Sequence, residues 1–173
     1  MRPLAAAIGL LGAVLPATVS HSTVLFDWDT GELARRSDLI VIATVVGKRS
    51  FAAERTIMTS TRLRVLRVIA GSASGEIEVL QLGGQLGARI VDVPGDAELR
   101  GGETYLLFTA QPTGQSYRSL VGMSLGALQL KGDVLTQIVD VPLLGAGGEF
   151  LPPPGLQTRS LKEVLRLISR SRL

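Results

Sequence analysis

The residue types that carry most enzyme chemistry are scarce in this sequence. It contains no cysteine and a single histidine, His21. A thiol nucleophile and a cysteine-based zinc site both require cysteine, so neither is present. Because His21 lies at the expected end of an N-terminal leader, we do not expect it to act as a base or a metal ligand in the mature protein. The sequence therefore predicts no histidine- or cysteine-dependent catalysis and no metal site.

Carboxylate pairs are the remaining candidates for acid–base chemistry. Asp92 and Asp96 flank a Pro-Gly turn, while Glu76 and Glu78 lie two residues apart in a strand pattern. The two glutamates alternate with apolar residues, as the solvent-facing side of a half-buried strand does. The two aspartates belong to a polar loop, where weak calcium binding is the alternative. We interpret both pairs as solvated surface and predict no catalytic residue and no cofactor.

Two further patterns have both a functional and a structural interpretation. The glycine cluster at residues 83–87 is similar to a phosphate-binding loop, but it lacks the Gly-Lys-Ser/Thr ending and no helix pattern follows it. A bulge or tight turn between strands explains the cluster. Arg62 and Arg64 share one face of a strand, with Arg67 on the other. This arrangement predicts a solvent-exposed edge protected by charge, with an anionic partner as the alternative.

Composition limits the classes of partner. Eighteen basic and 15 acidic residues give a formal net charge of +3, and aromatic residues make up 4% of the chain. Nucleic-acid binding usually requires a concentrated basic face and stacking rings, whereas here the arginines are spread among acidic neighbours. We therefore predict no nucleic-acid partner. An apolar content of 46% without cysteine predicts a hydrophobic core that stabilises the fold without disulfides.

Residues 1–22 have the pattern of a secretory signal peptide. Arg2 supplies a positive charge, residues 4–15 form an uncharged apolar stretch, and small residues follow. The apolar run ends at Pro16, whereas a membrane-spanning helix needs about 20 such residues. The sequence thus predicts an exported protein, periplasmic or extracellular, with no stable membrane insertion after the signal peptide is removed.

Strand patterns dominate the region after the leader. Residues 39–46 form an apolar, β-branched run that is typical of a strand covered on both faces. Residues 103–109 form a second apolar strand that we expect in the core. In residues 57–69 the parity of the apolar positions changes midway, which predicts a bulge near Val65.

Turn residues separate seven or so strands, which favours a barrel or sandwich over alternating strands and helices. Residues 76–82 and 88–93 are expected to pair as neighbours, and residues 127–130 and 134–139 to form a hairpin. A short helical turn, capped by Asp29 or Thr30, precedes the strands. The sequence predicts a mainly β domain over residues 23–141, folded as a small closed or partly open barrel.

The C-terminal part changes character. Residues 142–159 are rich in proline and glycine, and we interpret them as a linker that cannot continue a sheet. In residues 160–173 the apolar spacing predicts an amphipathic helix from Leu161 to Ser171, starting with a capping box of Ser160 and Glu163. We expect this helix to pack on the barrel, and the alternative is that it is offered to a membrane or a partner.

Several short segments occur in a defined order between residues 25 and 130. They are RSDLIV (36–41), LRVLRV (63–68), LGG (82–84), VPG (93–95) and GETYLLF (102–108). In this order they resemble a loose group of exported bacterial proteins of uncharacterised function. The resemblance implies an OB-type five-stranded barrel, the architecture of netrin-like and metalloproteinase-inhibitor modules. It implies no functional residue, because this chain lacks the N-terminal cysteine with which such inhibitors reach a metal.

These expectations favour a noncatalytic binding or accessory module of the cell envelope that engages a protein or an envelope polymer. OB-type barrels bind ligands on one open sheet face and its adjoining loops, which indicates residues 83–87 and 94–102 as binding surfaces. We expect deletion of either segment to weaken binding while leaving thermal stability nearly intact. The alternatives are a carboxylate-dependent hydrolase that acts on an envelope polymer, and a structural envelope protein that forms oligomers.

Overall fold

The computed structural model describes residues 23–173, so the predicted signal peptide and His21 lie outside the described residues. Its α-helices are α1 (Thr30–Arg36) and α2 (Leu161–Ser171). The strands are β1 (Leu25–Phe26), β2 (Leu39–Ala53), β3 (Thr56–Ala70), β4 (Glu76–Leu82), β5 (Gly84–Leu86), β6 (Arg89–Val91), β7 (Thr104–Ala110), β8 (Ser119–Leu120), β9 (Ala127–Lys131), β10 (Val134–Val139), β11 (Leu143–Leu144), β12 (Phe150–Leu151) and β13 (Gly155–Ser160).

Most strands join one antiparallel sheet in the order β13-β10-β9-β7-β2-β3-β4, and β8 pairs with β7. Two small sheets, β1-β11-β12 and β5-β6, accompany it. Among residues 23–173, the end strands β4 and β13 do not pair with each other, so the main sheet is open. The mainly β class is confirmed, whereas the closed form of the predicted barrel is not found in this part of the chain.

The long hairpin of β2 and β3 bends because its register shifts at three places. One shift leaves Leu66 without an opposite residue, since Arg67 pairs with Ile42 and Val65 pairs with Ala43. A bulge of this kind bends the strand and increases its twist. The bulge that the parity change predicted near Val65 is therefore confirmed, and it lets two 15-residue strands curl over the core.

The first half of β2 and the middle of β7 are buried on both faces, as predicted for residues 39–46 and 103–109. Their alternate residues divide between two hydrophobic clusters. The helix-side cluster combines residues of β2 and β7 with α1 and α2: Ile40, Ile42, Leu106, Phe108, Leu33, Ala34, Val164 and Ile168. The loop-side cluster combines the opposite face of the same strands with β3, β4 and the loop 94–102: Leu39, Val41, Tyr105, Leu107, Leu63, Val79 and Leu99.

The helix α2 packs on the sheet through Val164 and Ile168, both of which are buried. Its bounds agree with the predicted helix. Ser160 occupies the N-cap position, but its side chain makes no capping hydrogen bond, so the predicted capping box does not form. Ser160 is at the same time the last residue of β13. Within the described residues, no helix is long and apolar enough to cross a membrane.

The two helices pack on each other in the helix-side cluster, and Arg172 adds hydrogen bonds between them. Arg172 Nη1 donates to the carbonyl oxygens of Ala34 at 2.9 Å and Ser37 at 2.8 Å. These carbonyls lie at the C-terminal end of α1, where intrahelical donors are missing and a positive charge is favourable. Arg172 therefore caps α1 from the far end of the chain.

Replacing this cap gives a first prediction. Arg172→Ala is expected to lower the free energy of unfolding by about 1 kcal/mol, because two helix-end carbonyls lose a charged donor. Urea denaturation measures the loss. Arg170→Ala, an exposed arginine in the same part of the chain, is the matched control and is expected to change stability by less than about 0.5 kcal/mol. Equal losses in the two variants would argue against the cap.

The segment 142–159 is not a linker that lies outside the sheets. It contains β11, β12 and most of β13, and β13 pairs with β10 along its whole length from Gly155 to Ser160. The prolines that suggested a linker, Pro152 to Pro154, end before the first residue of β13. They therefore remove no donor from the β10–β13 ladder, and the strand forms directly after them.

The pairing expected between residues 76–82 and 88–93 is also wrong. β4 pairs with β3, and β6 pairs with β5. Gly83 and Gly84 separate β4 from β5 and have φ values of +85° and +126°. Glycine adopts such angles without a steric cost, so the chain changes direction here instead of folding back on β4. The hairpin predicted for residues 127–130 and 134–139 is confirmed by β9 and β10.

Candidate binding cleft

A row of polar side chains crosses four neighbouring strands of the main sheet. Gln129 of β9 lies opposite Tyr105 of β7 and Thr136 of β10, and Thr136 lies opposite Thr158 of β13. Directly opposite residues of antiparallel strands point to the same face of a sheet. The row therefore starts at the margin of the loop-side cluster, which contains Tyr105, and ends at the edge strand β13.

The loop 94–102 stands beside this row and completes a cleft. The cleft has a volume of about 420 Å³, within the range of roughly 300–1,000 Å³ that small-ligand sites occupy. Asp96, Glu98 and Arg100 line it from the loop. On the opposite side, Ile138 and Leu156 line it and expose 64% and 66% of their surface. One wall is therefore charged and the other is apolar.

The loop is anchored to the rest of the fold. Leu99 is fully buried in the loop-side cluster. Gln81 Nε2 donates to Asp96 Oδ1 at 3.1 Å and to the carbonyl oxygen of Ala97 at 2.8 Å. Burial raises the pKa of Asp96, while the hydrogen bonds from Gln81 and from the Ala97 N–H oppose that shift. The charged wall is thus part of a preformed cleft and not a free surface segment.

The hydroxyl of Tyr105 joins the loop to the floor of the cleft. The hydroxyl oxygen accepts a hydrogen bond from the Arg100 N–H at 2.9 Å. The hydroxyl group has two acceptors within reach, Glu103 Oε2 at 2.9 Å and the Glu98 carbonyl oxygen at 3.1 Å. Burial raises the pKa of Tyr105 to about 12, and the hydrogen bond to Glu103 acts in the same direction. Gln129 Nε2 donates to the same Glu103 oxygen.

The raised pKa of Tyr105 predicts a loss of stability in alkali. The folded state favours the neutral phenol of Tyr105 over the phenolate. The stability that this preference contributes is fully present below the ordinary tyrosine pKa of about 10 and is lost as pH rises through about 12. Urea denaturation of the wild-type chain and Tyr105→Phe should therefore show a stability difference that changes between these two values. A near-ultraviolet absorbance titration should show one tyrosine that ionises near pH 12 and is missing in the variant. A difference that is constant across this window would contradict the assignment.

The charged groups that line the cleft are mostly acidic. The carboxylates are Asp96, Glu98, Glu103 and Asp140, and the one arginine of this lining is Arg100. Arg100 Nη2 lies 2.6 Å from Glu98 Oε2, and this hydrogen bond lowers the pKa of Glu98. Carboxylates accept strong hydrogen bonds from hydroxyl and ammonium groups. The cleft is therefore suited to a ligand rich in donors, and it repels anions.

No model of a known protein family matches the sequence, and no curated protein is significantly similar to it.

The predicted carboxylate pairs are not brought together into one site. Asp96 lines the cleft, whereas Asp92 is exposed and does not. Glu76 and Glu78 lie on β4, where Glu78 accepts a hydrogen bond from the Ser60 hydroxyl. In the described part of the chain, no group of three or more histidine, cysteine or acidic residues is placed to hold a metal ion.

The predicted edge role of the arginines is wrong. β3 lies between β2 and β4, so Arg62 and Arg64 belong to an interior strand. Their guanidinium groups each lie 4.0 Å from a carboxylate oxygen of Glu76 on the neighbouring strand. All three side chains are largely exposed to solvent, where such pairs contribute little to stability.

The glycine cluster changes the direction of the chain at Gly83, forms β5 over Gly84–Leu86 and turns again at Gly87. The Thr59 hydroxyl donates to the Gly83 carbonyl oxygen at 2.8 Å, and a Cβ atom added at Gly84 would lie 2.1 Å from the same hydroxyl. The chain passes too close to β3 here for any larger residue. Of the two predicted binding segments, residues 94–102 therefore line the cleft, while residues 83–87 do not.

No motif in the sequence marks the residues of the floor. Tyr105 belongs to β7, shortly after Glu103, whereas Gln129 and Thr136 belong to the β9–β10 hairpin more than 20 residues further along the chain. One signal was available. Gln129 interrupts the apolar run Ala127 to Leu130, and a polar residue within such a strand often has a specific partner when it is half-buried.

Proposed function

We propose that this chain is an exported, noncatalytic binding module of the cell envelope, periplasmic or extracellular, whose cleft binds a hydroxyl-rich segment of an envelope polymer. The observation that carries the proposal is the row of hydrogen-bonding side chains on the floor of a preformed cleft. Preorganised polar groups lower the cost of ordering on binding, so Tyr105, Gln129 and Thr136 favour ligand recognition over a purely structural role.

The lining of the cleft favours a sugar-like ligand. Carboxylate oxygens that keep a free lone pair can accept from hydroxyl groups, and so can the amide oxygen of Gln129. The amide N–H groups are already used within the protein, because Gln129 Nε2 donates to Glu103 and Gln137 Nε2 donates to the Ser124 and Leu125 carbonyl oxygens. The exposed side chains of Ile138 and Leu156 offer an apolar surface to the C–H side of a sugar ring. Because the lining contains four carboxylates and one arginine, a neutral or amine-bearing polymer is favoured over an anionic one.

The contacts of the acidic residues favour binding over hydrolysis. A carboxylate-dependent hydrolase needs two carboxyl groups that both face the bond to be cleaved. Here Glu98 is paired with Arg100, and Glu103 accepts from Tyr105 and Gln129. These acids are engaged by the protein itself, which supports a noncatalytic role.

The partly open OB-type barrel is part of the same proposal. The three register shifts between β2 and β3 curl that hairpin, and β4, β3, β2, β7 and β9 are consecutive neighbours in the sheet. A curled sheet with a ligand face beside a long loop is how such barrels bind their ligands. This supports the same use of the cleft here.

Ligand titration followed by amide NMR tests the proposal. The probes are the tetramer of N-acetylglucosamine, cellotetraose and, as the anionic comparison, tetragalacturonate. We expect the two neutral sugars to shift the amide signals of cleft residues and the acidic one to leave them unchanged. Gln129→Ala should weaken binding by about tenfold, the effect of one or two lost hydrogen bonds. Gln85→Ala is the matched control, because Gln85 is exposed and does not line the cleft.

Two outcomes would overturn the proposal. If neither neutral sugar shifts any cleft amide at millimolar concentration, the cleft does not recognise hydroxyl-rich polymers. If shorter oligosaccharides accumulate during the titration, the alternative of a carboxylate-dependent hydrolase is correct and the noncatalytic role is wrong.

A further inference from the structure

The two end strands of the main sheet differ in whether their outer backbone groups have hydrogen-bond partners. The outer side of β4 is covered, because the Leu80 N–H donates to the Arg118 carbonyl oxygen at 2.8 Å and the Arg118 N–H donates to the Glu78 carbonyl oxygen at 3.0 Å. β13 pairs only with β10, and among residues 23–173 no backbone hydrogen bond reaches its outer side. One edge is therefore closed and the other is open.

The register shows which groups of β13 face outward. The Leu161 N–H, directly after β13, donates to the Asp133 carbonyl oxygen at 2.9 Å and so points toward β10. Backbone groups of successive residues alternate in direction along a strand. The N–H and C=O groups of Leu156 and Thr158, and the N–H of Ser160, therefore point away from β10 to the open edge.

The open edge lacks the usual protection against pairing. Natural edge strands carry prolines, bulges or outward-facing charges that prevent association. β13 contains neither a proline nor a lysine, and it pairs with β10 without a register shift. Its one charged side chain, Arg159, is occupied within the chain, since Nη1 donates to the Thr30 hydroxyl at 3.0 Å. Leu156 and Thr158, by contrast, are exposed.

We propose that β13 pairs antiparallel with β13 of a second copy of this chain, centred on Thr158. The strand is bounded by Pro154, which has no N–H, and by α2, which starts at Leu161. A longer partner strand forms no additional backbone hydrogen bonds beyond these limits, whereas a second β13 has the same length as the open edge. Both edges are ordered before they meet, so the entropic cost is smaller than for a free peptide.

The pairing is self-complementary in detail. About four N–H···O bonds form in this register: two between the Thr158 residues and one from each Ser160 N–H to the Leu156 carbonyl oxygen of the other copy. The exposed Leu156 side chains lie beside the new seam, on the sheet face that carries the cleft, so they border both the seam and the cleft. The two strands are related by a two-fold axis normal to the sheet. This rotation leaves the cleft face of both copies on the same side, so one continuous sheet runs through the dimer.

This geometry also joins the two clefts. The polar row that ends at Thr158 continues through Thr158 of the second copy into an identical row. The two-fold axis reverses the direction of the second cleft, so two neighbouring polymer chains of opposite direction can occupy both clefts, which raises the avidity for a polymer network without any new contact within each cleft. That consequence rests on the proposed function, whereas the dimer does not.

Sedimentation equilibrium of the full chain without ligand tests the dimer. We expect a concentration-dependent dimer in the micromolar range. Thr158→Pro removes only an outward N–H, because proline is tolerated at the free side of an edge strand. It should weaken dimerisation by at least about 30-fold, since the symmetric interface loses two donors. Thr158→Ala keeps both donors and should still form the dimer.

A crosslinking experiment covers the case in which the proline variant fails to fold. Because the chain contains no cysteine, Thr158→Cys introduces a single thiol at the two-fold axis, and a short bismaleimide should link two copies efficiently. Arg64→Cys, exposed on β3, is the control. A wild-type chain that stays monomeric at high concentration, or equal crosslinking of the two cysteine variants, would overturn the proposal. Neither result depends on whether the cleft binds sugar.

Discussion

Leu99→Ala is expected to lower the free energy of unfolding by about 3 kcal/mol and to loosen the charged wall of the cleft. Leu99 is fully buried in the loop-side cluster although it belongs to a loop. Truncating a fully buried leucine removes its burial and leaves a cavity, which costs about 2–5 kcal/mol. Urea denaturation followed by Trp28 fluorescence measures the loss, and amide exchange of Ala97 to Arg100 reports on the wall.

Leu86→Ala is the matched control for this prediction. Leu86 lies in β5 with 41% of its surface exposed, so its truncation is expected to cost less than about 1 kcal/mol. Equal stability losses in the two variants would show that the loop is not anchored by Leu99. The same anchoring argues against the expectation that deletion of residues 94–102 leaves stability nearly intact, because the deletion removes a residue of the core.

Ile168→Ala is expected to destabilise the fold by about 3 kcal/mol, again by creating a cavity in a packed cluster. Ile168 is almost fully buried in the helix-side cluster, together with Phe108 of β7. Far-ultraviolet circular dichroism during urea denaturation measures the change for the whole fold. A helix that packs on the sheet in this way is not free to bury the same face in a membrane or a partner.

Leu167→Ala tests that conclusion on the neighbouring residue. Leu167 lies at the margin of the buried face of α2 and exposes 36% of its surface, so its truncation should cost less than about 1 kcal/mol. If α2 were offered to a partner instead of docked, the two variants would have similar and small effects on the isolated chain.

Local patterns in the sequence were sufficient for the parts of the fold that depend on near neighbours. The run 39–46 predicted a strand buried on both faces because all of its residues except Thr44 are apolar. The spacing of Val164 and Ile168 predicted α2 because it repeats with the helical period. The parity change in residues 57–69 predicted the bulge because it shifts side chains between the faces of a single strand.

Pairing between distant segments could not be predicted in the same way. β13 follows three prolines and begins at Gly155, and its residues Leu156 to Ser160 have no apolar alternation that marks a strand. β13 forms because the backbone N–H and C=O groups of β10 pair with it over its whole length. The floor of the cleft depends on the same tertiary pairing, since Tyr105, Gln129 and Thr136 become neighbours only when β7, β9 and β10 join.

The two ends of the described chain meet, and this determines when folding is completed. Leu25 pairs in parallel with Leu143 in β11, and Arg172 caps α1. Chain synthesis proceeds from the N-terminus at roughly 5–20 residues per second. A nascent chain therefore presents β1 without its partner until residue 144 has been made, and α1 without its cap until residue 172 has been made. A chain that stops before residue 143 leaves apolar residues of β1 and α1 exposed to quality-control factors.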